Sequence, residues 1–261
     1  MVIWYNLNMK IKNKKIMPSL KTQKSDIVAL LTRGVLGEIP YAGSLLSELI
    51  GARIPDQRIE RIVKFAEKLE TRLSDVEKSL LDSQLSNDEF IGTLEEVISQ
   101  ATRSTSDARR EYLASVISNG LTDKEIDHSE TKRILTLLGE LNDAEIIMLR
   151  FYLVETIQGD EEFREKHKKI VGYIPVTLAS PQSEKDKEAI KENYREHLIS
   201  LGLLKNEYRI VHETGLQEID TFTNAPKIIG RRLTSMGMLF LRQIGLSGQY
   251  TSKRNFQSLS G

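Results

Sequence analysis

The stretch IERIVKFAEKLETRLSDVEKSL, residues 59–80, decides the fold. Its apolar residues Ile59, Ile62, Ala66, Leu69, Leu73, Val76 and Leu80 recur at alternating steps of three and four, a heptad seam. At 1.5 Å per residue the helix it predicts, running on to Leu85, is about 40 Å long. Val63, Phe65 and Leu81 widen the apolar stripe past a strict two-stranded seam. Two closures are open. Either the seam packs on other helices of its own chain, or it joins two chains over residues 56–85 as a homodimeric coiled coil.

Toward the C-terminus the helical pattern continues. Ser86, Asn87, Asp88 and Glu89 spell a capping box, and the helix it opens carries Phe90, Ile91, Leu94, Val97, Ile98 and Ala101. A second starts at Asp107 and is predicted to stop at Asn119 and Gly120. A third begins near Ser129, and a fourth is capped by Asn142 with Glu145. Short connections make these antiparallel neighbours. Residues 25–158 therefore read as a helical bundle.

Toward the N-terminus, Ser25 caps a helix and Pro40 ends it. Residues 34–54, GVLGEIPYAGSLLSELIGARI, combine small residues with a stripe of Leu45, Leu46, Leu49 and Ile50. Small residues suit tight helix crossings in a core and in a membrane alike. Glu38, Glu48 and Arg53 favour the core, since each is costly in a bilayer. A latent membrane-disrupting hairpin is the other reading. Residues 1–24 hold six lysines and no acid, and read as a disordered basic leader or as an extension upstream of a true start at Met17, the start lying at Met1, Met9 or Met17. Their apolar residues precede the lysines, the reverse of a signal peptide, so a cytoplasmic protein is expected.

After residue 158 the composition changes. Residues 159–182 are a charged linker with Pro175 and Pro181. Over residues 183–245 a helix capped at Ser183 and stopped by Gly202 precedes a β-like segment at residues 208–212, a polar stretch and a closing helical run. That order is the second half of a winged-helix module. The fold class expected is thus mainly α, an antiparallel helical bundle followed by a small α+β winged-helix-like domain. Residues 246–261 lack periodicity and read as a disordered tail.

A winged helix raises the question of DNA. Lys227, Arg231 and Arg232 form a cluster that could meet phosphates, making a DNA-binding transcriptional regulator one candidate function. Against it, Glu188, Glu192 and Glu196 lie on the adjoining helix, and the chain balances 37 Lys and Arg with 37 Asp and Glu. The other reading of the cluster is a solvated hairpin edge, where cations discourage strand pairing.

Chemistry leaves few marks. With no cysteine there is no disulfide, thiolate metal site or thiol nucleophile. His128, His167, His197 and His212 lack metal-ligand spacing, and neither a phosphate loop nor a nucleophile elbow is present. No catalytic residue, metal or cofactor is assigned.

The ensemble resembles bacterial abortive-infection alpha-type proteins. The residues that carry the resemblance are LISLGLL (residues 198–204), LTSMGMLFL (residues 233–241) and the leading IPYAGSLLSELI (residues 39–50). The resemblance implies a role in phage defence or toxicity and assigns no functional residue. The leading expectation is a non-enzymatic bacterial interaction protein that binds a protein partner or itself.

Overall fold

The computed structural model describes residues 56–74, 80, 83–84, 87–122, 127–154, 160–173, 175–177, 179–212, 214–221 and 223–247. The basic leader, the hairpin at residues 34–54, Val76, Ser86 and the tail from residue 248 lie outside the described residues. Nine helices and one two-stranded antiparallel sheet appear among those described. In order they are α1 (Asp56–Leu73), α2 (Asp88–Arg103), α3 (Asp107–Thr122), α4 (His128–Glu140), α5 (Asp143–Phe151), α6 (Glu161–Lys166), α7 (Lys168–Val171), α8 (Gln182–Ser200), β1 (Leu204–Tyr208), β2 (Ile228–Leu233) and α9 (Ser235–Gln243). The protein is mainly helical. None of the described helices is long and apolar enough to cross a membrane.

The seam works as an inward face. Ile62, Phe65, Ala66, Leu69 and Leu73 are 0% exposed, and α1 packs on α2 and α3 of the same chain. The described part of the seam is therefore closed within one chain, and a dimer through it would first have to open the core. α1 is described only as far as Leu73, short of the single helix expected through Leu85, while Leu80 packs against the same core.

Helix ends depart from the sequence reading at several points. The cap of α2 is Asn87, whose Oδ1 accepts from the Glu89 amide at 2.9 Å. Asn142 and Glu145 form the expected capping box on α5, and Asp127 with Glu130 forms a second one on α4. α3 does not stop at Asn119 and Gly120 but continues to Thr122. Asn119 is spent elsewhere, its amide donating to the Gln243 carbonyl at 2.9 Å and closing the end of α9. Gly120 serves close approach, since a Cβ there would sit 3.1 Å from Thr131 Oγ1 on α4.

Residues 159–182, expected as a linker, contain α6 and α7 and are tied to the bundle. The Asp160 carboxylate, 2% exposed, meets Arg150 at 2.9 Å. Arg150 lies over the Phe163 ring and Arg164 over that of Phe151. Part of the mixed-charge run thus finds partners on the helical body.

The C-terminal part is joined to the bundle at two places. Glu145 on α5, buried, holds Nδ1 of His197 on α8 at 2.7 Å, and α9 packs on α3. α8 begins at Gln182 after Pro181, one residue ahead of the expected Ser183 cap. β1 lies earlier than the expected β-like segment, because the chain enters the strand at once after the left-handed turn at Gly202 (φ +72). β1 pairs antiparallel with β2, Leu204 opposite Leu233 and Tyr208 opposite Ile228.

Candidate functional site

Between Tyr208 and Ile228 the chain leaves the sheet as an arm, and its base is locked by the LTSMG sequence. Thr234 Oγ1 accepts from the Gly237 amide at 2.9 Å, capping α9, and donates to the Gly202 carbonyl at 2.6 Å. Leu203 O accepts from the Thr234 amide at 3.1 Å. Gly237 lets α9 ride directly on that carbonyl. Replacing Thr234 with Ala removes the cap and the Gly202 bond together, and about 1–2 kcal/mol of stability is expected to be lost. Thermal melting checks this, with Thr234→Ser expected to stay near the unmodified protein.

The arm itself contains a repeat of nine residues. EYRIVHETG (residues 207–215) is followed by LQEIDTFTN (residues 216–224) and by APKI (residues 225–228), which align charge–isoleucine pairs at Arg209–Ile210, Glu218–Ile219 and Lys227–Ile228. Hydrogen bonding follows the same period. Gly215 N donates to Val211 O at 2.8 Å, and Asn224 N donates to Asp220 O at 2.9 Å. Val211 N donates to Leu216 O and Asp220 N to Ala225 O, both at 2.9 Å. Each repeat ends in a left-handed residue, Gly215 at φ +68 and Asn224 at φ +53, types that tolerate that region.

Three backbone bonds then close the segments on one another. Arg209 N donates to Lys227 O at 3.0 Å, Lys227 N to Glu218 O at 2.8 Å, and Glu218 N to Arg209 O at 2.8 Å. Each segment is bonded to the other two. The tip of the arm is a small closed triangle of extended chain.

This register sorts the side chains. Tyr208 stands opposite Ile228, Ile210 opposite Gln217, and Ile219 opposite Pro226. Residues facing each other across a pair, and residues two apart along a segment, share a face. Tyr208, Ile210, Gln217, Ile219, Pro226 and Ile228 therefore lie on one face, and none carries a charge. Its three isoleucines are 47%, 49% and 44% exposed, where a single exposed apolar residue would be unremarkable. The residues between them, Arg209, Glu218 and Lys227, form the charged layer, with Lys227 Nζ 2.9 Å and Arg209 Nε 3.6 Å from the Glu218 carboxylate.

The three cations singled out from sequence are accordingly committed. Lys227 pairs with Glu218, and Arg232 with Glu207 at 3.2 Å. Arg231, only 17% exposed, is held by Glu192 and lies 3.5 Å from Glu196, on the helix whose acids the sequence already set against DNA binding. The structure brings the three into one region and distributes them over four carboxylate partners, Glu218, Glu207, Glu192 and Glu196.

A groove of about 650 Å³ lies beside Arg103, Ser106 and Arg109. Arg109 is already bound to the carbonyls of Leu138 and Leu141 and to Asp143, so it holds the α4–α5 corner. Lys191 is buried and donates to Gly172 O at 2.5 Å; burial draws its ammonium below the usual lysine value. His167 is likewise lowered by burial. Among the described residues no group of three His, Asp or Glu could hold a metal ion.

Sequence reasoning placed the cations and missed the isoleucines. The signal was there: charge–isoleucine pairs nine residues apart, the first two followed by Thr-Gly and Thr-Asn at the same distance. The period belongs to neither a helix nor a plain strand, so a search for periods of 3.6 and 2 passes over it. Comparison of the chain with protein-family models, with curated proteins and with solved structures finds no match in any of the three.

Proposed function

We propose that this chain is a non-enzymatic interaction protein, in which the helical body is a scaffold and the arm is a docking element for protein. The observation that carries the reading is the uncharged face of Tyr208, Ile210, Gln217, Ile219, Pro226 and Ile228, backed by a layer in which Glu218 pairs with both Lys227 and Arg209. A nucleic-acid reader gathers unpaired cations, whereas a protein-docking face offers apolar area rimmed by polar groups. The order α8, β1, arm, β2, α9 supports a winged-helix-like module whose wing is enlarged into this arm. The setting in bacterial phage defence rests on the abortive-infection alpha-type resemblance of residues 198–204 and 233–241.

The test is a plaque assay on bacteria expressing the full chain. The chain is expected to protect, and Ile210→Glu with Ile219→Glu to abolish protection while the melting temperature stays unchanged, because both side chains are already half in water. Full protection by the double variant overturns the docking role. No protection by the unmodified chain overturns the defence setting.

A further inference from the structure

We infer that the junction between the helical body and the C-terminal part is a binding site for a nucleotide, with its phosphates on Arg195 and Arg231 and its base on Tyr173. This goes beyond the docking role of the arm and does not depend on it. The site is a pocket of about 560 Å³, within the span of roughly 300–1,000 Å³ that small-ligand sites occupy. The end of α5, the segment after α7, α8 and β2 converge on it, and Arg164 reaches it from α6. A second hollow of about 330 Å³ shares Tyr152 and Arg232 with the pocket and adds Lys205.

Charge is the first argument. Arg164, Arg195, Arg231 and Arg232 line the pocket, and only Glu188 and Glu192 line it against them. Asp160, Glu196 and Glu207 also pair with these arginines but are not part of the lining. The lining therefore favours an anion. Glu192 accepts from Arg195 Nη1 at 2.8 Å through one oxygen and from Arg231 Nη2 through the other, which sets the two guanidiniums side by side. Arg195 meets carboxylates through Nη1 alone and Arg231 through Nη2 alone, out of the five N–H groups that a guanidinium carries. Their side chains are 13% and 17% exposed, so bonds to phosphate there compete with little water.

The ring is the second argument. Tyr173 lines the same pocket, yet at 83% it is the most exposed large apolar side chain among the described residues. Its backbone is nevertheless held, because the neighbouring Gly172 carbonyl accepts from the buried Lys191 ammonium at 2.5 Å. An aromatic ring anchored in water beside a pair of guanidiniums offers a planar base one face to stack on while its phosphates reach the arginines.

The experiment is isothermal titration calorimetry on the full chain at about 50 mM salt, with ADP, inorganic pyrophosphate and adenosine as probes. ADP is expected to bind one to one with a Kd of about 10 µM to 1 mM, the range an open pocket gives a ligand of this size, and more tightly than either part alone. Tyr173→Ala is expected to weaken ADP by about fivefold to a hundredfold and to leave pyrophosphate as it was, since stacking is what it removes. Arg232→Gln is expected to weaken ADP and pyrophosphate alike, by about threefold or more. Arg195 and Arg231 are too deeply built in for a clean test, whereas Tyr173 at 83% and the Arg232 side chain at 57% exposure can change without disturbing the fold.

Failure of ADP to saturate the protein at several millimolar overturns the inference. So does ADP binding no tighter than pyrophosphate and indifferent to Tyr173→Ala, which would leave an anion site with no place for a base. ADP binding that ignores both variants lies elsewhere on the chain and overturns it as well. The docking role of the arm survives each of these results, since it is read from protection by the isoleucine variants.

Discussion

Leu69→Asp is expected to abolish cooperative folding of the helical body. Leu69 is 0% exposed between α1 and its neighbours α2 and α3, with Ile62, Phe65, Ala66 and Leu73 along the same stripe. Two losses add. Removing the leucine side chain forfeits about 2–5 kcal/mol of packing. The carboxylate that replaces it enters an apolar layer, and either stays charged at a cost of several kcal/mol or takes up a proton. Together these rival the 5–15 kcal/mol that holds an ordinary domain together. The readout is far-UV circular dichroism with urea titration at widely separated protein concentrations. An intramolecular seam predicts loss of helix at every concentration. If the variant keeps its helix and its urea midpoint and changes only its sedimentation, the seam belongs to a dimer and the packing described above is wrong.

What the sequence disclosed and what it withheld follow from the range of the forces involved. The seam was legible because burial repeats with the helix, so seven apolar positions carry one message. Asn142 with Glu145 was legible because a capping box is local. Asn119 and Gly120 misled, because their local preference for a helix stop is overridden by distant partners, the end of α9 for one and Thr131 for the other. The charge cluster of Lys227, Arg231 and Arg232 was visible, yet its meaning depended on Glu192, thirty-nine residues from Arg231, and on Glu207. A run of cations in sequence says nothing about which carboxylates the fold will bring to them. The ties of residues 159–182 to the body were hidden for the same reason, since Asp160 and Arg150 are ten residues apart but meet in a buried pair.

The second large effect is expected at Gly237, where the arm is fastened. Alanine is the better helix former by about 1 kcal/mol, so in open space Gly→Ala inside a helix stabilises. Gly92 on α2 is such a place, with nothing within 4 Å of an added Cβ, and Gly92→Ala is expected to raise the melting temperature slightly. Gly237 on α9 is the opposite case. A Cβ there would lie 2.2 Å from the Leu203 carbonyl oxygen and 2.8 Å from Leu233 Cδ2. Leu233 can turn aside, but Leu203 O is backbone and is fixed by the Thr234 amide at 3.1 Å. Relief requires α9 to lift off β1, which exposes Phe240 and Leu241, both 0% exposed, and breaks the Thr234 cap. The cost is expected to reach the upper end of the overpacking range, about 3 kcal/mol, and to lower the melting temperature by roughly 6–12 °C. Thermal melting of both alanine variants decides the matter. Gly237→Ala melting at or above the unmodified protein, alongside Gly92→Ala, would mean that α9 does not press on Leu203 and that the arm is anchored some other way.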